Sequence, residues 1–170
     1  MIDHIVFDID GTLTDGSIII SDNGGESKRF QAKDGLIVRA LPQLGFTTII
    51  MTGRNSEAAQ IRSEDLHISV FFHGVVDKAM VLQTYLKEHK LQHKRFAYIG
   101  DDLNDYEAMK QCAFKACPAD ATKEIRMLCD YVSPLPAGYG AVRDICEYLL
   151  RRQDQYAAFL KLFGLESVLR

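Results

Sequence analysis

Residues 5–12 of the chain read IVFDIDGT. The apolar run Ile5-Val6-Phe7 has the length and composition of a short buried strand, and it stops at Asp8. The same signature recurs in three further runs, at residues 48–51, 70–72 and 96–99. Segments with helical spacing of apolar residues lie between or after these runs, at residues 57–66, 79–86 and 106–112. This alternation predicts an α/β fold, with a mainly parallel sheet covered by helices on both faces.

Polar clusters follow three of the predicted strands. They are Asp8-Ile9-Asp10-Gly11, Thr52-Gly53-Arg54 and Gly100-Asp101-Asp102. Ligands of open parallel sheets bind outside the carboxyl ends of the strands. Because those ends meet at one edge, we expect the three clusters to converge on a single site.

Length and composition limit the classes of function. The chain has 170 residues, of which 47% are hydrophobic, so we expect a single domain over residues 1–170. Its net charge is −3 and it has no basic run, which disfavours nucleic acid and anionic membranes as partners and favours a small molecule. The first residues have neither the basic start nor the long apolar run of a signal peptide, and no stretch is long and apolar enough to span a membrane. A cytoplasmic location is therefore expected.

Two segments lie outside the alternation. Residues 17–30 are typical of a β-hairpin flap, because the Asn23-Gly24 pair supplies the positive φ values of a tight turn. Its residues Ile18, Ile19 and Ile20 are consecutive, so a strand there presents apolar side chains on both faces. Either the body of the protein or a neighbouring subunit must cover them. Beyond Pro136 we predict a helix at about residues 141–152 and a helical tail at about 153–170.

The carboxylates Asp8 and Asp10 are the first candidates for chemistry. Acidic residues are uncommon at the end of a buried strand, and two of them repel each other unless a cation joins them. A turn or helix cap accounts for one Asp but not for both. The pair therefore predicts a hard divalent cation with oxygen ligands, most simply Mg²⁺.

Three further groups follow the other strands. Thr52, Gly53 and Arg54 offer a hydroxyl, backbone N–H groups and a guanidinium, which together favour an anion site, although a Thr-Gly pair alone is typical of a turn. Lys78 on its own is typical of a solvated lysine at a helix start. Asp101 is expected to face the Asp8 edge and complete a metal site, while Asp105, one helical turn on, is placed to orient a water or Lys78. A solvated charge cluster is the alternative for the acidic residues.

The order of these motifs resembles the haloacid dehalogenase superfamily of phosphohydrolases. The motifs are D-x-D-G-T after the first strand, T-G after a middle strand, a lysine, and then G-D-D-x-x-D; they extend from Ile5 to about Arg143. Asp15-Gly16 with its hairpin, the segments FQAKDG at 30–35 and GYGAVR at 138–143, and Thr52-Gly53-Arg54 resemble the subgroup without a cap domain that contains the 3-deoxy-D-manno-octulosonate (KDO) 8-phosphate phosphatases. The resemblance implies a three-layer Rossmann-like sheet with a hairpin flap and no cap domain, and a homotetramer.

The resemblance also implies roles for individual residues. Asp8 is the expected nucleophile and Asp10 the general acid and base, and Asp8, Asp10 and Asp101 are expected to hold Mg²⁺. Thr52, Gly53 and Lys78 are expected to bind the phosphoryl oxygens. The implied substrate contacts are Asp10, Gln31, Ala32, Lys33, Asp34, Gly35, Arg39, Arg54, Arg62 and Lys78, with Asp102 and Asp105 in support. Ile37, where the family usually has a glycine, and the longer tail beyond Arg151 depart from the pattern.

The implied reaction is Mg²⁺-dependent hydrolysis of a 2-keto-3-deoxy sugar-acid phosphate, namely KDO 8-phosphate, through an aspartyl phosphate, as a step of lipopolysaccharide biosynthesis. One alternative is a phosphatase for nine-carbon, sialic-acid-type sugar phosphates. Some of these phosphatases carry Glu where this chain has Arg54. Another is a receiver-type signalling domain, which accepts phosphate on an Asp at a middle strand, whereas the middle strand here ends in Met51-Thr52. A third is a non-catalytic oligomerisation module, which has no need of both Asp8 and Asp10.

Overall fold

Six parallel strands form the central sheet of the structure, a computed structural model that describes residues 1–165. Residues 1–165 contain the strands β1 (His4–Phe7), β2 (Ile19–Ile20), β3 (Glu26–Ser27), β4 (Thr47–Met51), β5 (Val70–Phe72), β6 (Phe96–Ile99), β7 (Phe114–Cys117) and β8 (Tyr131–Val132). The sheet order is β5-β4-β1-β6-β7-β8, and β2 and β3 form a separate antiparallel hairpin. The predicted α/β fold is therefore confirmed.

Helices connect the strands and cover both faces of the sheet. They are α1 (Ala32–Ala40), α2 (Glu57–Asp65), α3 (Lys78–Glu88), α4 (Tyr106–Met109), α5 (Lys123–Leu128), α6 (Ala141–Arg152) and α7 (Tyr156–Lys161). Alternate residues of β1 point to opposite faces: Ile5 and Phe7 belong to the core with α1, α2, α6 and α7, and Val6 belongs to the core with α3, α4 and α5. All three side chains are fully buried, as the sequence pattern predicts.

Some elements differ from the sequence prediction. Strands β7 and β8 and helices α1 and α5 were not predicted. Lys115 interrupts the apolar run of β7, β8 has only two residues, and Gly35 weakens the helical pattern of α1. The helix predicted at residues 106–112 ends at Met109. The tail predicted at about 153–170 contains α7, and its last five residues lie outside the part of the chain that the structure describes.

The order of the strands determines where a site can form. From β1 the chain goes outward through β4 and β5 on one side and through β6, β7 and β8 on the other, so the order reverses beside β1. Phe7 lies opposite Ile50 of β4 and Ile99 of β6. The residues that follow these three strands consequently leave the sheet together, at the switch point where open α/β sheets bind ligands.

The hairpin leaves its isoleucines uncovered. Ile18, Ile19 and Ile20 are 43%, 49% and 66% exposed, so the body of the chain does not bury them. No helix among residues 1–165 is long and apolar enough to cross a membrane.

Asp34 ties helix α1 to the start of helix α6. Its side chain is buried, and its Oδ1 accepts a hydrogen bond of 2.7 Å from the backbone N–H of Arg143. Gly140, which precedes α6 with a φ of 105°, has no side chain to cap the helix. The carboxylate of Asp34 therefore serves as the N-cap from another helix, a structural role that the sequence analysis did not predict for this residue.

We expect Asp34→Ala to lower the free energy of unfolding by about 1–2 kcal/mol, because an N–H at the start of α6 loses its acceptor. Asp34→Asn keeps an acceptor oxygen and should lose less. Urea unfolding of both variants measures the difference. Equal stability of the alanine variant and the wild type would show that the cap contributes nothing.

Candidate active site

The loop after β1 holds Asp8 at the carboxyl edge of the sheet. Its backbone N–H donates to Ile99 O of β6 at 3.0 Å, and its side chain is only 4% exposed. Gly11 has a φ of 93°, and a Cβ on it would overlap the carboxylate of Asp101. Thr12 Oγ1 donates to Asp101 Oδ1 at 2.9 Å. The Gly and Thr of the motif thus bring the Asp101 carboxylate against the loop that carries Asp8.

Asp8, Asp101 and Asp105 form a cluster of three carboxylates. Each offers one oxygen, and the three oxygens lie within 4.8 Å of one another. Burial, followed by the negative charge of Asp105, raises the pKa of Asp8 to about 7. Burial, followed by the charges of Asp8 and Asp105, raises the pKa of Asp101 to about 8. Such crowding opposes ionisation unless further positive charge is supplied, so the cluster fits a divalent cation.

Lys78 is the ammonium group in contact with this cluster. It is the first residue of α3, and Asp77 caps that helix by accepting from Met80 N at 2.9 Å. The Nζ of the fully buried Lys78 side chain lies 2.6 Å from Asp8 Oδ1 and 2.6 Å from Asp105 Oδ1. Burial alone would lower the pKa of Lys78, but the charges and hydrogen bonds of the two carboxylates outweigh it and raise that pKa. Lys78 is therefore a fixed positive charge beside Asp8.

Asp105 orients its neighbours and has little capacity left to bind a metal. Its Oδ1 accepts from Lys78 and, at 2.8 Å, from the hydroxyl of Tyr98, while its Oδ2 accepts from Asp101 N at 3.1 Å and Asp102 N at 3.4 Å. A Cβ on Gly100 would lie 2.6 Å from Asp105 Cγ, so glycine is needed for this close approach. Since the oxygens of Asp105 are occupied, Asp8 and Asp101 are the members of the cluster best able to hold a cation.

The carboxylate of Asp10 is turned away from this cluster. Asp10 is expected from the sequence to join Asp8 and Asp101, but the third carboxylate of the cluster is that of Asp105. Asp10 Oδ1 accepts from Lys28 Nζ, and its Oδ2 lies 3.9 Å from Arg54 Nε. The two cations draw this side chain toward the hairpin. Direct coordination of a metal by Asp10 therefore stays a prediction.

Glu26 and Lys28 of the hairpin are polar neighbours of the site that the sequence analysis missed. Glu26, Lys28 and Phe30 are partly buried, while Ser27 and Arg29 between them are exposed. This period of two in the burial marks one inward face of the hairpin strand. The sequence carries no such signal, because residues 26–29 are all polar. Glu26 Oε2 accepts from Arg54 Nη2, and Glu26 Oε1 lies 3.0 Å from Lys28 Nζ.

Thr52 and Gly53 lie where the sequence predicts, at the end of β4. Thr52 is 2% exposed, and its backbone N–H donates to Phe72 O at 3.0 Å. Its carbonyl accepts from Val75 N, also at 3.0 Å, which brings the segment before Lys78 to the same edge. The roles of Thr52, Gly53 and Lys78 toward a phosphoryl group stay predictions.

The residues predicted to contact the sugar acid are not all near Asp8. Arg54 reaches Glu26 and approaches Asp10, whereas Gln31 caps α1 by accepting from Lys33 N, and Lys33 is exposed. Four further members line a cavity of about 420 Å³, namely Ala32, Gly35, Arg39 and Arg62. The described residues that line this cavity also include Phe163 of the tail but none of the carboxylates at the switch point.

Comparison with known proteins gives the chain its family. The family model of haloacid dehalogenase-like hydrolases matches residues 61–145. The 3-deoxy-D-manno-octulosonate 8-phosphate phosphatase KdsC of Yersinia pestis is 33% identical over 151 residues, which cover 89% of this chain and 81% of that protein. KdsC of Escherichia coli K12 is 32% identical over 151 residues, with 89% and 80% covered.

The chain belongs to the 3-deoxy-D-manno-octulosonate 8-phosphate phosphatase family.

Solved structures agree with this membership. The KDO 8-phosphate phosphatase of Moraxella catarrhalis, in complex with a magnesium ion, a phosphate ion and KDO, superimposes with a TM-score of 0.91 at 36% identity, over 95% of this chain and 93% of that one. The cobalt-bound phosphatase of Haemophilus influenzae gives a TM-score of 0.87 at 31% identity, over 93% and 92% of the two chains. The resemblance seen in the sequence is thus confirmed, and the chain is a phosphomonoesterase of the haloacid dehalogenase superfamily.

The carboxylate cluster generates a prediction about metal binding. We expect millimolar Mg²⁺ to raise the melting temperature of the wild type and to have little effect on Asp101→Asn, which lacks one of the two carboxylates best able to hold the cation. In the absence of metal, Asp101→Asn should be at least as stable as the wild type, because a like-charge repulsion is removed.

Differential scanning fluorimetry over a Mg²⁺ titration checks this prediction. Asp22→Asn, at the exposed turn of the hairpin, is the matched control and should keep the full shift. An equal Mg²⁺ shift in Asp101→Asn and the wild type would place the cation elsewhere.

Proposed function

We propose that this phosphatase uses Mg²⁺ to hydrolyse KDO 8-phosphate to KDO and inorganic phosphate. The observation that supports this most directly is the pair formed by Asp8 and Lys78, buried together at the switch point of the sheet beside Asp101. The relatives that share this fold over most of their length are named for the same reaction. A carboxylate, a fixed cation and a place for a divalent ion are the groups that phosphoryl transfer through an aspartyl phosphate requires.

Asp8 and Asp101 are the residues that would hold the metal ion. A bound Mg²⁺ supplies positive charge that offsets the charge of these carboxylates and of the phosphoryl group. Asp105 remains engaged by Lys78, Tyr98 and the loop amides, and it keeps that loop in place.

In the first step, an oxygen of Asp8 attacks phosphorus while the bond between phosphorus and the sugar oxygen breaks. Asp10, as a carboxylic acid, gives its proton to that oxygen, so the sugar leaves as an alcohol. Lys78 stabilises the charge on the transferring group from a fixed position 2.6 Å from Asp8. Thr52 and the backbone N–H of Gly53 complete the set of donors for the phosphoryl oxygens.

In the second step, water attacks the phosphorus of the aspartyl phosphate. Asp10, now a carboxylate, takes a proton from that water, and the bond between phosphorus and Asp8 breaks. Asp8 is restored as a carboxylate, Asp10 as an acid, and phosphate is released. Both steps therefore require an oxygen of Asp10 that is free to exchange a proton.

The arginines favour a substrate that carries a carboxylate as well as a phosphate. Arg54 lies beside Asp10, and Arg39 and Arg62 line the cavity between α1 and α2. Guanidinium groups pair well with carboxylates. Because some phosphatases of the nine-carbon class carry Glu at this position, Arg54 favours the eight-carbon sugar acids. A screen of phosphate release over both classes of sugar-acid phosphate, with Mg²⁺ and with EDTA, identifies the substrate.

We expect Asp8→Asn to remain folded but to lose turnover by about 10⁴-fold or more, because the amide cannot act as the nucleophile. Asp10→Asn should also be slow, and it should accumulate phosphorylated protein, because the hydrolytic water has lost its base. Mass spectrometry of each variant, quenched shortly after mixing with substrate, distinguishes the two effects. Near-wild-type turnover of Asp8→Asn would exclude an aspartyl phosphate at this residue.

We further propose that the protein is a homotetramer in which the hairpins of neighbouring subunits meet. Ile18, Ile19 and Ile20 are exposed, and each strand of the hairpin has only two residues. A two-stranded hairpin is marginal in water on its own. Exposed apolar strands also favour further pairing, which closed symmetry satisfies. Residues 1–165 form no cap domain, so a neighbouring subunit is the available means of excluding water from the site.

We expect Ile19→Asp to dissociate the assembly and to reduce activity, because the charge cannot be buried in an apolar interface. Light scattering and a phosphate-release assay measure the two effects. Asn23→Asp adds the same charge at the exposed turn of the hairpin and is the control, with unchanged mass and activity. A fully active monomeric wild type would contradict the proposal.

A further inference from the structure

Lys28 has a buried side chain on a hairpin most of whose residues are exposed. Its side chain is 1% exposed, whereas that of the next residue, Arg29, is 60% exposed. Lysine loses much hydration when it is buried, so its position needs partners that compensate. Those partners are the carboxylates of Asp10 and Glu26.

The contacts form a closed network of two cations and two carboxylates. Lys28 Nζ donates to Asp10 Oδ1 and lies 3.0 Å from Glu26 Oε1. Arg54 Nη2 donates to Glu26 Oε2, and Arg54 Nε lies 3.9 Å from Asp10 Oδ2. The side-chain hydrogen bonds of Arg54 and then Lys28 lower the pKa of Glu26 to about 2, so Glu26 stays charged and anchors Lys28.

The two carboxylate oxygens of Asp10 have different environments in this network. Oδ1 is held by Lys28, whereas Oδ2 is buried and has no hydrogen-bond partner among the described residues. A buried carboxylate oxygen without a partner is unfavourable and requires an explanation. It is the oxygen that is free to exchange a proton with a reacting group.

We infer that Lys28, anchored by Glu26, is a positioning residue that holds Oδ1 of Asp10 and thereby leaves Oδ2, which has no hydrogen-bond partner within residues 1–165, as the oxygen that exchanges the proton. This inference rests on the proposed role of Asp10 as general acid and base. It links the hairpin to the chemistry, because the residue that orients the acid belongs to the flap and not to the sheet.

A purely structural role for Lys28 does not explain why its ammonium group lies against Asp10. A buried ion pair contributes little net stability compared with an apolar side chain of similar size. The hairpin is also tied to the body by Arg29, which donates to Asp15 and to Tyr139. These contacts attach the hairpin without placing a cation against Asp10.

Substrates with different leaving groups separate the two roles. An alkyl phosphate such as KDO 8-phosphate needs a proton on its leaving oxygen, whereas nitrophenolate leaves readily without one. The ratio kcat/KM covers only the steps up to release of the first product, so it reports the acid step and not the later hydrolysis. Loss of a correctly placed acid therefore lowers kcat/KM for the alkyl ester much more than for p-nitrophenyl phosphate.

The experiment compares kcat/KM for KDO 8-phosphate and p-nitrophenyl phosphate in Lys28→Gln and the wild type, with Mg²⁺ present. We expect a loss of about 10²-fold for the alkyl ester and less than about threefold for the aryl ester. Lys28→Arg should recover part of the loss, because it keeps a cation near Oδ1. Arg29→Gln removes a neighbouring cation of the same strand and should leave the ratio of the two values unchanged.

Asp10→Asn provides the benchmark for the proposed function. If Asp10→Asn lowers kcat/KM equally for both substrates, Asp10 is not the general acid, and the proposed function fails at that residue. If Asp10→Asn lowers kcat/KM mainly for the alkyl ester but Lys28→Gln does not, only the inference about Lys28 is overturned. An equal loss on both substrates in Lys28→Gln would assign Lys28 to phosphate binding or to folding.

The test also covers the cases in which Lys28→Gln does not fold or KDO 8-phosphate is not a substrate. If Lys28→Gln unfolds, Glu26→Gln, which loosens the anchor of Lys28, should show the same selectivity to a smaller degree, and its absence would overturn the inference. If KDO 8-phosphate is not hydrolysed, the comparison uses the alkyl phosphate that the screen identifies through Asp8-dependent turnover. Circular dichroism of each variant establishes that it is folded.

Discussion

The repulsion among buried carboxylates around Asp8 is the constraint on which the rest of the site depends. Asp8, Asp101 and Asp105 lie close together with one ammonium group, Lys78, among them. Burial and mutual repulsion raise the pKa values of Asp8 and Asp101, so the arrangement is stable in its charged form only with additional positive charge. The same property makes the site suitable for a divalent cation and for a substrate whose phosphoryl group is transferred to a carboxylate.

The surrounding fold keeps this unfavourable arrangement in place. The sheet brings Asp8 and Asp101 out at its switch point, and Gly11 and Gly100 allow carboxylates to approach the backbone closely. Asp105 uses its oxygens to hold Lys78, Tyr98 and the loop amides, so it supports the loop that carries Asp101. The apolar cores on both faces of the sheet supply the stability that the site itself does not.

The hairpin serves the site from outside the sheet. One of its faces carries Glu26 and Lys28 toward Asp10, while Ile18 and Ile20 remain exposed. The network with Arg54 turns the Asp10 carboxylate toward the flap and leaves one of its oxygens without a partner. The flap is thus both part of the polar environment of Asp10 and a segment with exposed apolar side chains.

The sequence by itself determined the alternation of strands and helices and the convergence of Asp8, Thr52 and Asp101, because apolar runs that end in polar residues reflect local periodicity and the common edge of a parallel sheet. Strands β7 and β8 were too short or too interrupted to give that signal. Only the tertiary structure decided that Asp10 faces Lys28, that Asp105 saturates its oxygens and that Asp34 caps α6. These roles depend on which side chains meet across elements that are distant in the chain. A local sequence pattern does not encode the direction in which a carboxylate turns when two cations lie near it.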